Sequence, residues 1–93
     1  MAKFVMLGKY TQGSMDGISA SRTDRAGEVV RESGGEVIGI YALLGAYDLI
    51  LLVELPDVET AMQVSLRLTR LTGIGFLTSP AVDVETFDAL ASG

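Results

Sequence analysis

The stretch Gly45-Ala46-Tyr47-Asp48-Leu49-Ile50-Leu51-Leu52-Val53-Glu54-Leu55 decides the fold. A strand sends alternate side chains to opposite faces, so a run apolar at every position from Leu49 to Val53 needs cover on both sides. Leu49, Leu51, Val53 and Leu55 make a wholly apolar row, which is assigned to packing helices. Asp48, Ile50, Leu52 and Glu54 make the other row, apolar at its centre with a carboxylate at each end. Leaving such side chains wet forfeits about 1.5–3 kcal/mol each, a large share of the roughly 5–15 kcal/mol that stabilises a whole domain. The pattern predicts a homodimer in which two sheets pack face to face through Ile50 and Leu52, with higher assembly as an extension. The competing expectation is that the C-terminal segment, 81–90, folds back over part of that face.

Upstream of this strand, Glu36 to Leu43 reads as a strand, with Glu36, Ile38, Ile40 and Ala42 on one face and Val37, Gly39, Tyr41 and Leu43 on the other. The short link through Gly45-Ala46 makes the two strands an antiparallel hairpin. Lys3 to Tyr10 is a further strand, apolar on both faces at Phe4-Val5-Met6-Leu7. Between them, Thr11-Gln12-Gly13-Ser14 predicts a turn and Met15 to Ser33 a helix, capped by Ser14 or Asp16 and ended by Gly34-Gly35. Its apolar stripe is Met15, Ile18, Ala26, Val29 and Val30, and Arg22 falls within that stripe.

Downstream, Pro56 ends the hairpin and Asp57 caps a second helix with a buried stripe of Val58, Ala61, Val64, Leu68 and Leu71. Gly73 stops it, Gly73 to Ser79 is a fourth strand, and Pro80 ends that strand. Asp83-Val84-Glu85-Thr86 opens a short terminal helix with Phe87 and Leu90 inward. The order βαββαβ with a terminal helix predicts a single α+β domain over residues 1–93. It is a ferredoxin-like antiparallel sheet with both helices on one face and strands one and three central.

Composition bounds the function. Ninety-three residues at 48% hydrophobic content support one core. No apolar run is long enough for a membrane span and none precedes the first strand as a secretory signal, so a soluble, cytoplasmic protein is expected. Without cysteine there is no disulfide, thiolate zinc site or thiol nucleophile, and without histidine the commonest general base and transition-metal ligand are missing. Net charge is −5 and the seven basic residues are scattered, which argues against nucleic-acid binding. No Walker loop, nucleophile elbow or dinucleotide turn is present, and no cofactor or metal is expected.

A few residues stand out as candidates for a ligand site. Arg22 interrupts an apolar stripe, and a guanidinium directed inward offers a fork for a carboxylate or phosphate. The alternative is a snorkelling side chain paired with a neighbouring acid such as Asp48 or Glu54. Asp48 reads either as a group that grips an amine or moves a proton, or as a turn carboxylate that accepts backbone N–H bonds. Gly45 supplies positive φ to the same turn. Tyr10, Tyr41 and Tyr47 either line a cleft or sit as amphipathic residues at the sheet ends. Asp48 and Glu54 share a strand face but stand about 20 Å apart along it, beyond the roughly 5–9.5 Å of a glycosidase pair.

Gly45-Ala46-Tyr47-Asp48 after a strand containing Tyr41, followed by an apolar strand and Glu54-Leu55-Pro56-Asp57, resembles the GYD domain family, named for that Gly-x-Tyr-Asp turn. Thr11-Gln12-Gly13, Arg22, Gly34-Gly35 and Phe87 extend the resemblance over nearly the whole chain. It implies a fold of the dimeric α+β barrel group and a biochemical role that is largely unassigned. The stretch from Ile38 to Val82 is also similar to the ligand-binding domain of leucine-responsive (Lrp/AsnC-type) regulators, which implies sheet-mediated dimers that assemble further and bind amino acids near subunit contacts. The helix-turn-helix half of those regulators is missing here, so their action on DNA does not carry over.

Together these readings give an oligomeric, non-catalytic module that binds a small carboxylate or amino-acid-like ligand through Arg22, Tyr41, Tyr47, Asp48 and Tyr10. Two alternatives stand beside it. One is a cofactor-independent enzyme with Asp48 or a tyrosine handling protons, and the other is a structural self-assembling subunit without a ligand.

Overall fold

A computed structural model describes residues 1–93 as β1 (Ala2–Lys9), α1 (Gln12–Asp16), α2 (Ala20–Glu32), β2 (Glu36–Ala42), β3 (Leu49–Leu55), α3 (Val58–Thr72), β4 (Gly75–Ala81) and α4 (Val84–Ser92). The four strands form one sheet in the order β2-β3-β1-β4, with every neighbouring pair antiparallel. The two strands with unbroken apolar centres, β1 and β3, are the central ones, as a ferredoxin-like α+β fold requires.

The core lies between one sheet face and helices α2 and α3. Phe4 and Met6 from β1, and Leu51, Val53 and Leu55 from β3, pack against Val29 and Val30 of α2 and against Ala61, Val64 and Leu68 of α3. On the other face Val5, Leu7, Ile50 and Leu52 are only half buried. No helix is long and apolar enough to cross a membrane.

Several local expectations give way to the structure. The helix expected over Met15–Ser33 is two helices, broken at Gly17-Ile18-Ser19. The expected turn at Thr11–Ser14 and the caps assigned to Ser14 or Asp16 are replaced accordingly. Thr11 caps α1 through a reciprocal box with Ser14, and Ser19 caps α2 by accepting from the Arg22 N–H at 3.0 Å. Met15 and Ile18 therefore leave the buried stripe and are exposed, as is Val58 at the start of α3.

In β2 the register slips between Val37 and Gly39, and this bulge puts both Val37 and Ile40 against the core. Ile38 is left exposed, so strict alternation along β2 fails. Pro80 does not end β4. It pairs with Phe4 inside the strand, tolerated because β4 is an edge whose outer side needs no ladder donor.

The terminal helix departs most from expectation. Phe87 and Leu90 are 62% and 69% exposed, no residue of α4 is buried, and the segment does not fold back over the open sheet face. Its start is tied instead to the sheet end by Lys3 Nζ, which donates to Asp83 Oδ1 at 2.8 Å. With its carboxylate engaged there, Asp83 makes no cap bond to α4.

Candidate functional site

The loop between β2 and β3 is held against the end of β1. The Leu43 N–H donates to the Asp48 carbonyl at 2.7 Å, and the Asp48 N–H donates to the Gly8 carbonyl at 2.9 Å. Asp48 is 7% exposed. Its Oδ2 accepts the Tyr10 N–H at 3.1 Å and faces Lys9 Nζ at 3.3 Å. Lys9 Nζ also donates to the Gly45 carbonyl at 3.0 Å, and Gly45 itself adopts φ +153°, a conformation that a Cβ disfavours. The loop, its carboxylate and the first residue after β1 thus form one hydrogen-bonded unit.

That unit sets one wall of a cleft between the sheet and α2. The cleft is shallow, enclosing about 40 Å³ before it opens to solvent. Ile40, Leu49 and Leu51 supply the sheet side, Ile74 and Phe76 a second wall, and Ala26 the helix side. Tyr10, Arg22, Thr23 and Thr72 are the polar lining. The hydroxyls of Thr23 and Thr72 donate to the Ser19 and Leu68 carbonyls, and Thr72 also accepts the Ile74 N–H.

Arg22 is held on two sides. Its guanidinium carbon lies 5.9 Å from the centroid of the Tyr10 ring, within cation–π range. Its Nη1 donates at 2.6 Å to the Ser14 carbonyl near the end of α1, which also accepts the Gly17 N–H. Gly17 leaves room for this contact, since a Cβ there would stand 2.9 Å from Nη1. No carboxylate pairs with Arg22, for the three ion pairs of the chain are Lys3–Asp83, Lys9–Asp48 and Arg67–Glu32. A half-buried guanidinium with one carbonyl partner keeps donors for an external anion.

The structure brings Tyr10 and Arg22 together and places Asp48 one hydrogen bond behind Tyr10. Tyr41 pairs with Ile50 on the open face, across the sheet from Arg22, and Tyr47 sits exposed in the 43–48 loop. One copy of the chain therefore does not gather all five residues around a single cleft. Lys9, Gly17, Ile74 and Phe76 were not singled out from sequence. The box Thr11-x-x-Ser14 and the cap Ser19 signal the helix break that makes Gly17 a neighbour of Arg22. The wall contributed by Ile74 and by Phe76 of β4 has no local signal, because the pairing of β4 with β1 brings it in. The two displaced ionisations lie away from the cleft: Lys3 is raised by its hydrogen bond and charge contact with Asp83, and Asp57 is lowered by its hydrogen bonds with Thr60.

The GYD domain model matches residues 4–91, nearly the full length. The chain belongs to the GYD domain family. No curated protein matches this GYD domain in sequence. Among solved structures, the leucine response regulatory protein LrpA of Mycobacterium tuberculosis is similar in fold, with a TM-score of 0.58 at 12% identity. The match covers 88% of the GYD domain chain and 51% of LrpA, so the chain spans about half the length of that protein.

Proposed function

We propose that this GYD domain is an oligomeric module that binds a small carboxylate or amino-acid-like ligand without catalysing a reaction on it. The observation that carries this reading is Arg22, a guanidinium at an apolar cleft with no protein carboxylate to neutralise it. A carboxylate ligand supplies the missing charge through a forked pair of hydrogen bonds, and the cleft walls take its carbon skeleton. The Tyr10 ring stands beside the guanidinium, and Asp48 holds the Tyr10 backbone. The buried carboxylate is already engaged by the Tyr10 N–H and Lys9, which favours a positioning role over proton transfer.

Self-association rests on the open face, where Val5, Leu7, Ile50 and Leu52 form a contiguous half-buried apolar set that α4 leaves uncovered. A second copy offers the matching surface, and Tyr41 and Tyr47 then belong to the contact between copies rather than to the Arg22 cleft. A thermal-shift screen of organic acids and amino acids tests the binding reading. Saturable stabilisation that disappears in Arg22→Ala is the expected result, and ligand affinity unchanged by that substitution removes Arg22 from the site.

A further inference from the structure

Resting on that reading, we infer that the Arg22 cleft selects a short monocarboxylate with an apolar tail and rejects the amino acid of the same carbon skeleton. The ten residues lining the cleft include one cation, Arg22, and no Asp or Glu. Every α-amino acid carries its ammonium on the carbon next to the carboxylate. A carboxylate seated on Arg22 therefore brings that ammonium close to the guanidinium, where like charges repel and no acidic side chain offsets them. A charge removed from water without a partner is costly, so the ammonium lowers affinity rather than adding a contact.

Asp48, hydrogen-bonded to the Tyr10 N–H, is withdrawn from the role of ammonium partner. Its side chain is 10% exposed, it is held by the Tyr10 N–H and by Lys9, and it is not part of the cleft lining. The hydroxyls of Thr23 and Thr72 donate to the Ser19 and Leu68 carbonyls, and as neutral groups they leave the charge of an ammonium unpaired. Beyond the guanidinium, Tyr10 and the two threonines, the walls are Ala26, Ile40, Leu49, Leu51, Ile74 and Phe76, which favour a hydrocarbon tail. The chemistry required is one anionic head and one compact apolar body.

The test is calorimetric titration of the full chain with four probes: 4-methylpentanoate, leucine, acetate and 3-methylbutylamine. Leucine is 4-methylpentanoate with an added ammonium, acetate keeps the head without the tail, and the amine keeps the tail without the head. The expected result is saturable binding of 4-methylpentanoate at least tenfold tighter than leucine or acetate, with no binding of the amine. Arg22→Gln should weaken 4-methylpentanoate at least tenfold. Ala26→Leu, which fills the apolar part and leaves the charge in place, should weaken it likewise while changing acetate by less than twofold. Should Arg22→Gln not fold, Ala26→Leu carries the mapping alone. Leucine binding as tightly as 4-methylpentanoate through Arg22 overturns the inference while the carboxylate-module reading stands. Binding of 4-methylpentanoate that neither substitution alters, or no binding of any acid, overturns both.

Discussion

The backbone N–H of Tyr10 donates to Asp48 Oδ2 over 3.1 Å, joining the residue after β1 to the loop that leads into β3. The contact is long in sequence and partly buried, so it holds the backbone at Tyr10, whose ring centroid lies 5.9 Å from the Arg22 guanidinium carbon.

Replacing Asp48 by Ala leaves the Tyr10 N–H without its acceptor and Lys9 without its ion-pair partner. A hydrogen bond to a charged group contributes about 1.5–3 kcal/mol, and a loss of that order is expected from urea unfolding of Asp48→Ala. Asp48→Asn keeps an acceptor oxygen and should lose less. Equal stability of Asp48→Ala and the parent would show that the loop does not depend on this carboxylate.

Gly8 governs the opposite wall of the cleft. A Cβ at Gly8 would lie 2.9 Å from Ile74 Cγ2 and 2.9 Å from Phe76 Cε1, and Ile74 is fully buried and cannot swing away. Gly8→Ala should therefore destabilise the fold by about 1–3 kcal/mol, as overpacked cores do, and displace Phe76. Chemical denaturation and the Phe76 ring resonances measure the two effects.

Two surface groups give the stability curve opposite arms in pH. The Asp57 carboxyl accepts the Thr60 N–H at 2.7 Å and is held below its ordinary value of 3.8. A depressed pKa adds stability above 3.8 that is lost as pH falls through the folded value. Lys3 is raised above 10.5 by Asp83, so its contribution is complete below 10.5 and is lost as pH rises through the folded value. Asp57→Asn should lie below the parent at neutral pH and converge with it in strong acid. Lys3→Gln should converge with the parent only in strong alkali. Urea midpoints across the pH range measure both, and a constant gap at all pH values would contradict the assignment.

Much of this architecture is legible in the chain because the signals are local. The doubly apolar runs of β1 and β3 mark the sheet centre, Gly34 and Gly73 stop helices with positive φ, and Asp57 announces α3. The errors arise where a long-range contact overrides a local rule. Met15 and Ile18 continue the helical phase of α2 yet lie beyond its cap, and Pro80 breaks strands in general but not at a free edge. Phe87 and Leu90 are spaced to face a core that the chain does not extend to them. The cleft was half legible: Arg22 is conspicuous inside an apolar stripe, whereas Ile74 and Phe76 reach it only once β4 has paired with β1. Tyr41, on a strand next to the right loop, lies on the other side of the sheet.

On the open face, Leu52 stands between Val5 of β1 and Gly39 of β2. Leu52→Lys places an ammonium at the centre of the apolar set without touching the core, so the variant should stay folded and become monomeric. Circular dichroism checks the first part and light scattering the second. An assembly unchanged by the substitution would place the contact elsewhere.

The unmodified chain gives the most direct test, because both the uncovered face and the oligomeric module depend on a second copy. Sedimentation equilibrium at micromolar concentration should return at least twice the chain mass of 9.8 kDa. A stable particle of 9.8 kDa under those conditions, with the Val5, Leu7, Ile50 and Leu52 face open to water, would contradict the account.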